Sequence, residues 1–162
     1  MKKILSYLVL SLGLLFGLNA AVSNTTTAKA DTTLPAGYDF AVTNTTNLLD
    51  NNGNQTATVL QAGTDWKVFG ELYHGDETVY QVSPNGFVNE NSGYLYQPKS
   101  QNVRVSSRIM ARLYTSKGEL LGERALGKGT LWYSDRTIVV DKVSYYRVST
   151  DEWAMIGAVN PE

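Results

Sequence analysis

Short segments in which apolar and polar residues alternate recur along most of the chain. Tyr38, Phe40 and Val42 stand at a period of two, and the same alternation surrounds Trp66. Turn-forming Asn-Gly and Pro-Asn-Gly sequences interrupt these segments. No stretch after Ala30 has a sustained helical period. Short strands separated by frequent turns predict an all-β protein, either a barrel or a sandwich.

The chain also contains an internal duplication. Residues 63–66 read Gly-Thr-Asp-Trp, and 66 positions later residues 129–132 read Gly-Thr-Leu-Trp. The same displacement relates three further pairs, Tyr80 with Tyr146, Val82 with Val148, and Phe87 with Trp153. Upstream, residues 48–53 match residues 113–118 at a displacement of 65, so one residue has been gained or lost in the loop between. Repetition at a fixed displacement predicts two copies of one small unit.

The first thirty residues have the pattern of a secretory signal peptide. A basic start, Lys2-Lys3, precedes the apolar run Ile4 to Leu18, and Ala28-Lys29-Ala30 supplies a small-x-small cleavage signal before Asp31. An uncleaved membrane anchor is the alternative, but a spanning helix needs roughly 20 apolar residues and this run is shorter. We therefore predict a secreted, extracellular chain without a transmembrane anchor, which stays on a cell only by binding.

The chain after this signal peptide divides into four segments. Residues 31–36 are predicted to be a disordered start, residues 37–96 the first β repeat, residues 97–107 a linker, and residues 108–162 the second β repeat. A unit of about 65 residues rarely builds a core that supplies more than roughly 3 to 5 kcal/mol. The chain has no cysteine, so disulfides add nothing. We therefore expect the two repeats to pack against each other.

Charge is distributed unevenly between the repeats. Removal of the signal peptide leaves 11 basic and 15 acidic residues. Between residues 46 and 96, Lys67 is the single basic residue against six acidic ones, whereas residues from 97 onward contain ten basic and seven acidic residues. This asymmetry indicates that the second repeat would be the one to meet a polyanion. Two ordinary solvated surfaces are the alternative interpretation.

The second repeat contains four motifs, Arg112-Leu113-Tyr114-Thr115-Ser116-Lys117-Gly118, Leu126-Gly127-Lys128-Gly129-Thr130, Ser144-Tyr145-Tyr146-Arg147-Val148 and Trp153-Ala154. They resemble the attachment repeat of lactobacillar surface-layer proteins (the S-layer protein A domain), which is similar to bacterial SH3-like wall-binding repeats. The resemblance implies two small SH3-like β-barrels and non-covalent attachment to the Gram-positive cell wall, through a polymer such as teichoic acid. Repeats of this family are usually rich in lysine. The acidic first repeat departs from that pattern, which leaves a neutral wall glycan or surface-layer proteins as alternative partners.

Six residues of the second repeat are the candidate ligand-binding residues. Phosphates are held by Lys and Arg, and sugars by aromatic faces together with hydrogen bonds. Alternation turns two tyrosines away from Trp132 and Tyr146, which leaves those tyrosines beside basic residues of the loops. The predicted set is Lys128, Tyr133, Arg136, Lys142, Tyr145 and Arg147. Trp66 and Trp132 could instead form sugar platforms, but their position on the core face favours packing.

A small cell-wall hydrolase is the alternative from a different functional class. His74 is the single histidine, and no serine lies in a Gly-x-Ser-x-Gly elbow. The acids Glu71, Asp76 and Glu77 are close in sequence and could serve a glycosidase, but acids in loops are normally solvated. Residues 50–54 have the oxygen spacing that begins a calcium loop, yet the closing glutamate is missing, which favours a hairpin turn. We therefore predict no catalytic residue, no metal and no cofactor.

These observations together predict a secreted, non-enzymatic cell-surface protein of two tandem repeats. Its expected partner is a cell-wall polymer, with surface-layer proteins as a further partner, and nothing in the sequence predicts a nucleic-acid partner. An accessory, adhesin-like module that binds another protein is the alternative within the same class.

Overall fold

The computed structural model describes residues 34, 36–106 and 108–162. The strands of the first half are β1 (Asp39–Val42), β2 (Thr46–Leu49), β3 (Gln55–Leu60), β4 (Asp65–Lys67), β5 (Gly70–His74), β6 (Glu77–Ser83) and β7 (Gly86–Asn89). One turn of 3-10 helix, Glu90–Ser92, precedes β8 (Gly93–Val105). The remaining strands are β9 (Ala111–Tyr114), β10 (Leu120–Leu126), β11 (Leu131–Val140), β12 (Val143–Ser149), β13 (Glu152–Met155) and β14 (Val159–Pro161). The described residues contain no α-helix, which confirms the all-β prediction.

The strands form two antiparallel sheets. The larger has the order β10-β9-β13-β12-β11-β8-β1-β4, and β14 pairs with β8 beside this path. The smaller has the order β3-β2-β7-β6-β5. Neither sheet closes on itself within residues 36–162, so the prediction of two closed barrels is corrected. The predicted signal peptide, residues 1–30, and all but two residues of the predicted disordered start lie outside the described residues.

Backbone hydrogen bonds repeat with the displacement found in the sequence. Thr64 N donates to Gln61 O at 3.3 Å, and Thr130 N donates to Gly127 O at 3.3 Å. The side chains follow the same rule, because Trp66 Nε1 donates to Thr64 Oγ1 at 2.9 Å and Trp132 Nε1 donates to Thr130 Oγ1 at 2.8 Å. The duplication therefore has a counterpart in local geometry, in which each tryptophan is anchored by the threonine two residues before it.

The first hairpin of each half shows the same correspondence. In the first half Asp50 Oδ1 accepts from Asn52 N at 2.8 Å and from Asn54 N at 2.9 Å, around Gly53 at φ 81°. In the second half Thr115 Oγ1 accepts from the equivalent amides of Lys117 and Glu119 at 3.2 and 3.3 Å, around Gly118 at φ 77°. A positive φ of this size favours glycine. Residues 50–54 thus form a turn in which backbone amides donate hydrogen bonds to the Asp50 carboxylate.

Strand β8 belongs to both halves. Its first residues pair with β1, as in Phe40 with Leu95, and its last residues pair with β14, as in Val105 with Val159. Along most of its length it also pairs with β11, from Gln97 opposite Thr137 to Arg104 opposite Leu131. Residues 97–105 of the segment predicted as a linker are therefore strand. The shared strand joins β1 and β4 of the first half to the strands of the second half in one sheet, through backbone hydrogen bonds.

Three clusters of apolar side chains form the core. The first-half cluster is centred on Phe40 and Val88, and the second-half cluster on Val103 and Val159. The third cluster lies between the halves, where its buried members are Ala41, Tyr96, Ile138, Tyr145 and Trp153. Across this junction Tyr94 contacts Trp153 edge-on, with ring centroids 5.4 Å apart. The halves thus bury apolar surface against each other, as the small size of each unit led us to expect.

Candidate functional site

Arg136 connects the two halves by its side chain. Nη1 and Nη2 donate to the two carboxylate oxygens of Asp65 at 3.1 and 2.9 Å, and Nε donates to Asp135 Oδ2 at 3.2 Å. The guanidinium carbon lies 4.0 Å from the centre of the Tyr96 ring. Burial, the largest single effect, lowers the pKa of Arg136, but the hydrogen bond to Asp65 together with the nearby tyrosines and Asp135 outweighs it, so this pKa is raised. Its positive charge is therefore neutralised by carboxylates of the protein itself.

This position corrects the prediction that Arg136 lies on an exposed loop. Strand β11 runs without interruption from Leu131 to Val140, so alternation places Arg136 on the same face as Trp132, Ser134 and Ile138. Arg136 retains only 8% of its accessible surface. A buried guanidinium requires paired acceptors, and the two aspartates supply them.

Arg147 lies on the neighbouring strand, β12, and forms a second clamp. Its Nε donates to Asp135 Oδ1 at 2.8 Å, and its Nη2 donates to Asp135 Oδ2. Burial raises the pKa of the Asp135 carboxyl, but the bonds from Arg147 and the charge of Arg136 outweigh it, so this pKa lies below its usual range. Arg136 and Arg147 together balance Asp65 and Asp135, and the cluster carries no net charge.

A cleft runs across this cluster at the junction of the halves. Its inner part, of about 260 Å³, is lined by residues that include Gly63, Asp65, Tyr94, Arg136 and Asp151. Its outer part, of about 210 Å³, is lined by Tyr133, Asp135, Arg147, Val148, Ser149 and Thr150. Arg147 and Thr150 line both parts, so we treat these residues as one junction cleft.

Tyr133 forms the aromatic wall of the outer part. The residue is 60% exposed, and its hydroxyl donates to Ser100 Oγ at 3.0 Å, which fixes the ring above the cleft. Opposite it, β12 ends with Arg147 and Ser149, after which the chain turns at Thr150 and Asp151. An exposed aromatic ring that faces hydroxyl, guanidinium and carboxylate groups is suited to a ligand with both apolar faces and hydroxyl groups.

The structure brings together three of the six predicted ligand-binding residues, Tyr133, Arg136 and Arg147. Lys128 lies in the turn before β11 and lines a separate depression with Arg108 and Arg112. Lys142 lies in the two-residue turn between β11 and β12, at the end of the hairpin away from Tyr133. The predicted set therefore does not form one surface.

Tyr145 is the clearest correction among the six, because it is buried with 6% of its surface exposed. Tyr146 is also buried, at 5%. The two side chains point to opposite faces of β12, and each face is covered, one by the second-half core and the other by the cluster between the halves. Alternation predicted opposite directions correctly but could not show that both directions are buried.

Several cleft residues were missed by sequence reasoning, namely Asp65, Tyr94, Asp135, Ser149, Thr150 and Asp151. The duplication carried a signal for two members of the cluster. Asp65 stands where the second repeat has Leu131, and Arg136 stands where the first repeat has Gly70. The two repeats therefore differ in charge at both positions of this pair.

Three residues considered for a hydrolase, His74, Glu71 and Glu77, each contact a neighbouring side chain. His74 packs edge-on against Phe87, with ring centroids 6.4 Å apart, beside the turn at Gly53. Glu71 accepts a hydrogen bond from Tyr73 at 2.9 Å, and Glu77 accepts one from Asn89 at 2.7 Å. Across residues 36–106 and 108–162 no three His, Cys, Asp or Glu side chains are grouped as a metal site requires. Nor does this part of the chain contain a helix long and apolar enough to cross a membrane.

Comparison with known proteins matches no family model and no curated protein. Among solved structures the chain is similar to one described as "Endolysin LysPBC5 CBD", at 13% sequence identity and a TM-score of 0.31. The similarity covers 80% of this chain and 97% of that chain. A likeness this distant leaves the function to be argued from the geometry of the junction cleft.

Proposed function

We propose that the protein is a secreted, non-enzymatic cell-surface protein that attaches non-covalently to the Gram-positive cell wall or surface layer. Its two halves are taken as tandem SH3-like repeats that share strand β8. The ligand that we assign to the junction cleft is a wall glycan. Two observations support this proposal. The second repeat contains the motifs described above, and the same local hydrogen bonds occur in each half.

The observation that carries the proposal is the exposed ring of Tyr133 beside a charge-balanced cluster. Sugars present apolar C–H faces that pack on aromatic rings, and hydroxyl groups that pair with planar polar side chains. Arg147 and Asp135 are held rigidly by each other, so a ligand would meet a preorganised surface. With Asp151, the cleft lining contains three acidic and two basic residues, so it favours an uncharged glycan over the polyanion teichoic acid.

Co-sedimentation with purified Gram-positive walls tests this proposal. The chain from Asp31 to Glu162 is mixed with walls before and after extraction of teichoic acids, over a series of salt concentrations. Binding of a neutral glycan is expected to survive extraction and to change little with salt, because no net charge is neutralised. Retention that disappears on extraction and falls steeply with salt would instead identify teichoic acid as the ligand.

A single substitution assigns the binding to the cleft. Tyr133→Ala removes the aromatic wall and is expected to weaken retention by about 5- to 30-fold, which corresponds to about 1–2 kcal/mol. Val139→Ala is the matched control, since Val139 lies on the same strand, is 63% exposed and lies outside the cleft. Equal retention by the two variants would contradict the assignment. Release of soluble wall fragments into the supernatant over time would instead show that the protein is a hydrolase.

A further inference from the structure

We infer that copies of this chain associate head to tail, with Phe69 of one copy seated in the depression around Ile109 and Met110 of the next. The two surfaces lie on different halves and are both apolar at their centres. The half that bears Phe69 is acidic, whereas the depression is bordered mainly by basic residues. This inference is independent of the glycan assigned to the junction cleft.

The first surface is centred on Phe69, between β4 and β5. Phe69 is 69% exposed, more than any other exposed large apolar residue in the described part of the chain. Glu71 lies in β5, two residues after Phe69, and its carboxylate accepts a hydrogen bond from Tyr73. Lys67 is paired with Asp39 at 3.2 Å, so its charge is compensated locally. Residues 37–96 carry seven acidic residues against this one lysine, and Asp65 is paired with Arg136, so the half that bears Phe69 keeps an excess of negative charge.

The second surface is a depression of about 500 Å³ that includes Ile109 and Met110. These two residues are 52% and 60% exposed. The depression is bordered by Arg108, Arg112 and Lys128, with Glu123 as the single acidic residue of the lining. None of the three basic side chains forms a salt bridge within the described residues. Their charge thus remains available to a partner.

The duplication shows that each surface occurs once per chain. Phe69 stands where the second repeat has Asp135, and Ile109 and Met110 stand where the first repeat has Asn44 and Thr45. Within one molecule Phe69 remains exposed, so it does not occupy the depression of its own chain. Two different, complementary surfaces on one chain make a heterologous contact, which continues from copy to copy. The occupant that fits the charge and the apolar centre is therefore the acidic half of a second copy.

Sedimentation velocity of the chain from Asp31 to Glu162, over a series of concentrations, tests the contact. Phe69→Ser removes the inserted side chain, and Arg112→Glu with Lys128→Glu reverses the charge of the depression. Each variant is expected to need at least about 10-fold higher concentration to associate, which corresponds to about 1.4 kcal/mol. Val139→Ser is the control, because Val139 is exposed and lies in neither surface. Urea midpoints equal to that of the unsubstituted chain show that the variants are folded.

Mixing the two variants distinguishes this contact from a symmetric one. Each variant keeps one intact surface, so the mixture is expected to form a one-to-one dimer and to stop there. A mixture that stays monomeric, while the unsubstituted chain associates, would show that the contact is not head to tail. A monomeric unsubstituted chain at every concentration would also overturn the inference. A third result would overturn it as well. If the Arg112→Glu/Lys128→Glu variant sediments like the unsubstituted chain but no longer binds soluble teichoic acid, the depression is a polyanion site.

Discussion

The pair of Asp65 and Arg136 should stabilise the junction measurably, and a double-mutant cycle tests this. We would replace Asp65 by Leu, the residue at the equivalent position of the second repeat, and Arg136 by Met, singly and together. Two hydrogen bonds of 3.1 and 2.9 Å join the side chains, and hydrogen bonds to charged groups contribute about 1.5–3 kcal/mol. The Arg136 side chain is 9% exposed, but that of Asp65 is 42% exposed, so solvent weakens the interaction. We expect a coupling free energy of about 1–2 kcal/mol.

The free energy of unfolding in urea is the quantity to measure, with equal m-values as the condition for comparing variants. Asp65→Leu alone should lower this free energy more than the coupling itself, because it leaves Arg136 buried with Asp135 as its remaining acceptor. The double variant should recover to within about 1 kcal/mol of the unsubstituted chain, since apolar residues often replace a buried ion pair without loss. The pair of Lys67 and Asp39 is the control, because Lys67 is 70% exposed and such pairs couple by about 0.2–1 kcal/mol at most. A coupling for Asp65 and Arg136 below about 0.3 kcal/mol would refute the view that this clamp holds the halves together.

Two further predictions concern the same junction. Trp153→Ala should lower the free energy of unfolding by about 3–5 kcal/mol, because Trp153 is fully buried in the cluster between the halves. Trp132→Ala, at a half-buried tryptophan, should cost clearly less in the same urea titration, and equal costs would contradict the assigned burial. The lowered pKa of Asp135 should stabilise the folded chain above its unfolded-state pKa of about 3.9, and this contribution should be lost as the pH falls through the folded-state value. Asp135→Asn should therefore flatten the dependence of stability on pH in the acid range, measured by urea midpoints from neutral pH down to pH ~2.

Sequence reasoning was strongest where the signal is local. Alternation around Phe40 and Trp66 predicted strands that the structure contains, and the all-β class followed from them. The duplication was visible because both copies keep the Gly-Thr-x-Trp frame, in which the threonine anchors the tryptophan by a hydrogen bond. Such contacts span two or three residues, so the residues that make them are adjacent in the sequence.

The candidate site was predicted in part, and two of its errors concern burial. Tyr133 and Arg147 were placed on one surface, but Arg136 and Tyr145 were expected to be exposed and are buried. Arg136 is paired with Asp65 of the first half, and Tyr145 packs against Tyr114 and in the cluster between the halves, so the burial of both depends on residues distant in the sequence. Alternation along one strand contains no information about what covers its outer face.

The sequence by itself determined the strand content, the twofold repetition and the unequal charges of the two repeats, because each of these is a property of neighbouring residues or of composition. The tertiary structure decided that the repeats share β8, that Arg136 holds Asp65 across their junction, and that a cleft forms between this cluster and Tyr133. These features depend on how two similar units pack. Because the repeats are similar, their own patterns could not specify which face of each would be buried against the other.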